Sequence, residues 1–171
     1  EIAHLYRTMP ERAFRQEILA EFIDDAGGVF RRVSDAATAQ PADRVEGHTY
    51  VMGCDWGKYN DYTVLTVIDA TTHDLVAIDR FHQIDYRLQL GRVLALYERY
   101  QPDVIIAEKN SMGDPITEQL YYEHNLPVKA FTTTNASKAK IIDGLSLAFE
   151  RSQLRILNDA TLISELQAYE A

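Results

Sequence analysis

The residues with the most chemistry in them are three carboxylates. Asp55 closes the short apolar run from Tyr50 and is followed by Trp56 and Gly57; Glu108 closes the run Val104-Ile105-Ile106-Ala107. Asp61 comes six residues after Asp55 and opens a run rich in β-branched residues. A carboxylate at the end of an otherwise apolar strand is costly unless a partner compensates its charge. If the strands carrying Asp55 and Glu108 are neighbours, the two acids meet, repel each other and are poorly solvated. A divalent cation relieves both problems, and hard oxygen ligands with room for water suit Mg²⁺ or Mn²⁺. Two such ions ~3.5–4 Å apart can activate a water and stabilise the leaving oxygen of a phosphodiester. The plain alternative for each acid is a strand end that caps a turn or meets solvent. For Asp61 that alternative is as good as a site role, because Asn60-Asp61 is a favourable turn pair.

The supporting residues are less distinctive. Lys109, Lys138 and Lys140, with Arg151 and Arg155, are candidate phosphate contacts. Lys138 and Lys140 fall in the first turn of a long expected helix, where N–H groups favour an anion; a solvated helix face explains any one of them equally. Trp56 packs either beside the site or in the core, and Gly113, after Asn110-Ser111-Met112, permits either a site loop or a plain turn. The histidines, at 4, 48, 73, 82 and 124, form no zinc spacing, and no Ser/His/Asp arrangement stands out.

The elements that must position these acids follow from pattern. Tyr50 to Asp55, Tyr62 to Asp69 and Leu75 to His82 read as three strands joined by tight turns, hence an antiparallel meander. Tyr86 to Tyr100 has helical spacing, Val104 to Ala107 is a fourth strand, Pro115 to His124 a helix and Val128 to Phe131 a fifth strand. Asn135 to Arg151 is a long helix capped by Asn135 or Ser137. Leu154 to Leu157 is a brief extended piece, and Asp159 caps a last helix over Thr161 to Tyr169. The order βββαβαβα predicts an α/β fold: a ribonuclease H-like mixed sheet, three antiparallel strands then alternating α and β, flanked by helices. In such a sheet the strands ending in Asp55 and Glu108 are neighbours.

The first ~35 residues differ from the rest. Glu11 to Phe22 has helical apolar spacing through Phe14, Ile18, Leu19 and Phe22, broken by Asp24-Asp25-Ala26-Gly27-Gly28. Ser34 to Glu46 is polar, contains Pro41 and reads as a linker, so the domain proper starts near His48.

The sequence has 171 residues, 46% apolar and 25% charged, which suits one globular domain with an extra segment. No run of ~18 apolar residues suggests a membrane span, the N-terminus has no apolar signal region, and the single Cys54 fits a reducing cytoplasm. The net charge of −9 argues against a broad nucleic-acid surface. It is compatible with a nuclease whose acids cluster around metal and whose DNA grip is local.

These residues resemble a known family. Met9-Pro10-Glu11-Arg12 with Phe14-Arg15-Gln16-Glu17, Glu21-Phe22 and Gly27-Gly28-Val29-Phe30 resembles the segment closing the ATPase domain of the large terminase subunits of tailed phages and prophages. Gly53-Cys54-Asp55-Trp56-Gly57 with Asn60-Asp61-Tyr62-Thr63-Val64 resembles that family's first nuclease motif. Asp103 to Glu108, with Asn110 and Gly113, resembles the second; Lys138 to Leu147 and Glu165-Leu166-Gln167-Ala168-Tyr169-Glu170 resemble later helices. The resemblance implies residues 1–47 as the end of an ATPase domain plus linker and 48–171 as a nuclease domain incomplete at its C-terminus. It implies a metal-dependent endonuclease that cuts double-stranded viral DNA during genome packaging in the host cytoplasm. The implied partners are an ATPase domain, a small terminase subunit and a portal. No G-x-x-x-x-G-K-[S/T] is present, so the ATP-hydrolysing part is not in this chain. The family's third nuclease acid, an Asp in a final helix, is also not in it, and the chain alone is expected to bind metal weakly and cut poorly.

Three alternatives remain at this point. Another ribonuclease H-like enzyme, a resolvase or transposase core, shares the acids but not the Met9 to Phe30 segment. An actin-like or sugar-kinase lobe shares the loose pattern from Asp55 to Thr63 but needs two lobes. A non-catalytic module docking on DNA or portal needs none of the acids.

Overall fold

The computed structural model describes residues 2–18, 28–58, 60–109 and 113–170. Its elements, in chain order, are α1 (Ile2–Thr8), α2 (Glu11–Ala13) running into a π-helical turn (Phe14–Ile18), α3 (Val33–Ala36), β1 (Tyr50–Asp55), β2 (Thr63–Asp69), β3 (Asp74–Phe81), α4 (Tyr86–Tyr100), β4 (Val104–Glu108), α5 (Asp114–Tyr122), β5 (Val128–Phe131), α6 (Asn135–Glu150) and α7 (Ala160–Ala168). The chain forms two compact units, Gln40–Thr133 and a second made of Glu1–Ala39 with Thr134–Ala171. No helix among the described residues is long and apolar enough to cross a membrane.

The unit Gln40–Thr133 is built on a five-stranded sheet in the order β3-β2-β1-β4-β5. β1–β2 and β2–β3 are antiparallel hairpins; β1–β4 and β4–β5 are parallel, so α4 and α5 serve as the crossovers. Alternation along the strands explains the core. Tyr50, Met52 and Cys54 of β1, Leu65 and Val67 of β2, and Ile105 and Ala107 of β4 are buried on one face. Val93 and Tyr100 of α4 and Ile116 and Leu120 of α5 join them in one cluster. α4 starts where Asp85 accepts the Leu88 N–H (3.0 Å) and stops at Gln101, whose φ of 47° leaves the helical region. The β2–β3 turn is organised by Asp69, a buried acid that accepts the amides of Thr71 and Thr72 and lies 2.6 Å from His48 Nδ1.

The polar stretch read as a linker is more ordered than its composition suggests. It begins within α3, and Ala39 bridges Leu157 within the second unit. From Gln40 onward it lies on the sheet unit: Tyr100 donates to the Ala42 carbonyl (2.7 Å), Val45 N–H donates to Tyr50 Oη (2.7 Å), and Arg99 pairs with Asp43 (2.8 Å). Polar composition hid these contacts because their partners are distant tyrosines and an arginine.

In the second unit, Glu11 N–H donates to Glu150 Oε2 (2.9 Å), and Phe30 packs on Phe149 and Tyr169 (centroids 5.9 and 5.3 Å). No described residue before Tyr50 enters the five-stranded sheet. The regular helix expected from Glu11 gives way to a π turn at Phe14; its continuation and the Asp24-to-Gly27 break lie outside the described residues. The cap of α6 is Thr134, not Asn135 or Ser137. Thr134 Oγ1 accepts the Ser137 N–H (3.1 Å), and Ser137 Oγ accepts the Thr134 N–H (2.8 Å), a reciprocal capping box that leaves Asn135 as the first helical residue.

Candidate active site

The β1–β4 register runs in parallel from Val51 opposite Val104 to Cys54 opposite Ala107. One step further, Asp55 and Glu108 end these adjacent strands. Because Cys54 and Ala107 turn into the core, both acids turn to the opposite sheet face. Their carboxyl groups lie close enough to share a hydrogen bond when Asp55 carries its proton. Asp55 is accessible to solvent as a residue, yet protein surrounds its carboxyl enough to disfavour the charged form. Burial first, then the hydrogen bond with Glu108, then the charges of Glu108 and Asp61, push its pKa from 3.8 to about 6. Thr133, just beyond β5, donates its hydroxyl to Glu108 Oε1 (2.8 Å) and so fixes that carboxylate's orientation.

Two glycines let the surrounding loops close up. A Cβ on Gly57 would overlap the Asp61 carbonyl and crowd the backbone of Tyr62, so the loop after β1 folds directly onto Gly57. Gly57 N–H is anchored by the buried Thr63 hydroxyl (3.0 Å). A Cβ on Gly113 would overlap the indole of Trp56 at Cδ1. Trp56 itself belongs to the core cluster, so the residue after Asp55 is wedged between core and loop.

Asp55 and Glu108 are thus brought together. Asp61 is exposed, its N–H donating to the Lys58 carbonyl (2.7 Å), and its charge adds to the field on Asp55. Among the described residues, no group of three or more His, Cys, Asp or Glu side chains is placed to hold a metal ion. Lys109 is exposed immediately after Glu108, its N–H bonded to the Phe131 carbonyl (2.7 Å). Lys138 and Lys140 are exposed on α6, in the second unit; Lys138 lies in its first turn and Lys140 in its second. Asn110, Ser111 and Met112 lie outside the described residues. Cys54 is no nucleophile, since burial pushes its thiol up to about 12. Residue-by-residue reading passed over Thr133. Its only sequence signal is a hydroxyl just beyond the end of a parallel strand beside the one carrying Glu108.

The paired acids fit a hard divalent cation. Two oxygen donors forced to share a hydrogen bond, with one pKa raised by the other's presence, are what a 2+ charge would stabilise in place of the shared proton. Asp55 and Glu108 are the residues that would hold it.

A mixed sheet of this order, with acids ending two adjacent parallel strands, is a ribonuclease H-like fold. Residues 52–171 match the Terminase RNaseH-like domain, and the chain belongs to that family. It is 32% identical to the large terminase subunit of Thermus virus P23-45 over 94% of this chain and 35% of that protein. It therefore spans about a third of the length of that relative. The large terminase nuclease of thermophilic phage G20c, solved with bound magnesium, is 25% identical with a TM-score of 0.74, covering 84% of this chain and 81% of that one. The HK97 bacteriophage large terminase has the same fold at 12% identity and a TM-score of 0.64, over 82% of this chain and 36% of that one.

Proposed function

We propose that this chain is the nuclease part of a phage or prophage large terminase subunit, cutting double-stranded viral DNA during genome packaging. The observation that carries the reading is the hydrogen-bonded pair Asp55–Glu108 at the ends of neighbouring parallel strands. The magnesium bound in the G20c nuclease supports a divalent cation as the cofactor; our reading is Mg²⁺ or Mn²⁺, as two ions in the full site. When bound, such ions make hydroxide available from water and absorb charge developing on the phosphate. The chain's own residues then have separate tasks. Asp55 and Glu108 hold the cation, Thr133 keeps Glu108 aimed, and Asp61 adds negative field that favours a 2+ ion. Lys109 meets DNA phosphate beside the acids, and Lys138 and Lys140 are further phosphate contacts.

Residues 1–47 close an ATPase domain and connect it to a nuclease domain over 48–171. The match to the large terminase of Thermus virus P23-45 across 94% of this chain supports that division, as does the family match beginning at residue 52. In the full-length protein the partners are that ATPase domain, a small terminase subunit and the portal, in the cytoplasm of the bacterial host.

The test is a plasmid-cutting assay on the full-length protein with Mg²⁺ or Mn²⁺. Asp55→Asn and Glu108→Gln are each expected to lower cleavage by at least about 100-fold, roughly the loss of several kcal/mol of transition-state stabilisation. DNA affinity should be nearly unchanged, because it rests on Lys and Arg. Near wild-type cutting by either variant refutes the proposal.

A further inference from the structure

Beyond the acids, the same sheet face carries an arginine that the nuclease reading leaves without a task. Val64 of β2 lies opposite Asp55 on one side and Arg80 of β3 on the other. Thr63 and Phe81 turn into the core, so Tyr62, Val64, Arg80 and His82 turn outward, to the face on which Asp55 and Glu108 lie. Arg80 is two strand spacings from Asp55, roughly 10 Å. Its guanidinium lies over the Tyr62 ring, 4.1 Å from the centroid, and the other ring near Tyr62 is His82, 4.2 Å away at 54°. Tyr62 is 43% exposed, so this stack is part of the surface that a ligand at the acids would meet.

We propose that Arg80, held over Tyr62, grips a phosphate of the DNA strand adjacent to the scissile one; this rests on the nuclease reading above. The acids alone repel a polyanion, and the whole chain is acidic at −9, so DNA can settle on this face only where fixed cations flank the carboxylates. Lys109 follows Glu108 on the β4 side; Arg80 supplies the β3 side. A guanidinium carries five N–H donors in a planar fork that matches phosphate bidentately, and stacking on a ring fixes the plane of that fork. The ring limits the rotamers Arg80 samples before binding, which reduces the entropy lost when it takes hold of phosphate.

The experiment measures duplex affinity by fluorescence anisotropy across a salt series, in the full-length protein carrying Asp55→Asn so that no cutting intervenes. Arg80→Gln is expected to weaken binding about 5-fold at low salt and to flatten the slope of log K against log salt by about 0.9, the loss of one phosphate contact. Arg80→Lys should keep the slope, since it keeps the charge. Tyr62→Leu should also keep the slope but weaken binding about 2-fold by freeing the guanidinium. Arg80→Met, which retains an apolar stem over the ring, repeats the test if the Gln variant melts early. An unchanged slope in both Arg80→Gln and Arg80→Met overturns the proposal, whatever the affinity. Failure of the wild-type protein to cut DNA would refute the nuclease reading and leave this slope untouched, so the two failures are distinguishable.

Discussion

Consider Asp55→Asn without metal, in EDTA. In the folded protein the Asp55 carboxyl is raised from 3.8 to about 6 by burial and by Glu108. Between those values the folded chain holds a proton that the unfolded chain has released, so stability falls as pH rises through this window. Above about pH 6 both states have lost the proton and the penalty is constant. A shift of about 2 units corresponds to at most about 3 kcal/mol. Solvent on the open side of Asp55 screens the repulsion, leaving roughly 1 kcal/mol. For a chain of this size that is about 2–4 °C in melting temperature. Asn keeps the shape and one acceptor oxygen but removes the charge, so the variant should melt about 2–4 °C above wild type at pH 7.5. The two should converge near pH 4. Adding Mg²⁺ or Mn²⁺ should raise the melting temperature of wild type and not of the variant, reversing the order. Thermal melts over pH 4 to 8, with and without metal, measure all three effects. A variant that melts no higher than wild type at pH 7.5 without metal would refute the claim that the two carboxylates strain each other.

Three further outcomes are expected. Gly113→Ala forces a methyl into the Trp56 indole and should cost about 1–3 kcal/mol of stability, seen as a lower denaturant midpoint; a neutral variant would show that the loop gives way freely. Thr133→Val removes the hydroxyl that aims Glu108 and should slow cleavage about 3- to 10-fold with little change in melting temperature, because the site is exposed. Burial raises the Asp69 pKa, but hydrogen bonds from His48 and the Thr72 and Thr71 amides outweigh it and leave the group lowered. Its stabilising effect is therefore complete above the ordinary carboxylate range and is lost as pH falls through its lowered folded value. Asp69→Ala should cost about 1–3 kcal/mol at pH 7 and flatten the acid limb of a stability-against-pH curve, which urea melts would record.

The sequence by itself determined the strands and the acids. Period-two burial in Tyr50-Met52-Cys54 and in Ile105-Ala107 is written in residue type, and a carboxylate that follows such a run is visible without coordinates. The helix of α4 follows from local spacing, because its hydrogen bonds depend on neighbours in the chain. What only the tertiary structure decided depends on partners far apart in sequence. Thr134 rather than Asn135 or Ser137 caps α6 because all three polar residues can cap, and the backbone geometry at the turn selects one. The stretch from Gln40 to Glu46 looks like a tether until Tyr50, Tyr100 and Arg99 are seen to hold it. Thr133 reaches Glu108, and Arg80 reaches the face of the acids, only through strand registers that no single segment encodes. Register is set by packing the whole sheet on its core, and a shift of one residue would turn Asp55 inward and leave the acids on opposite faces.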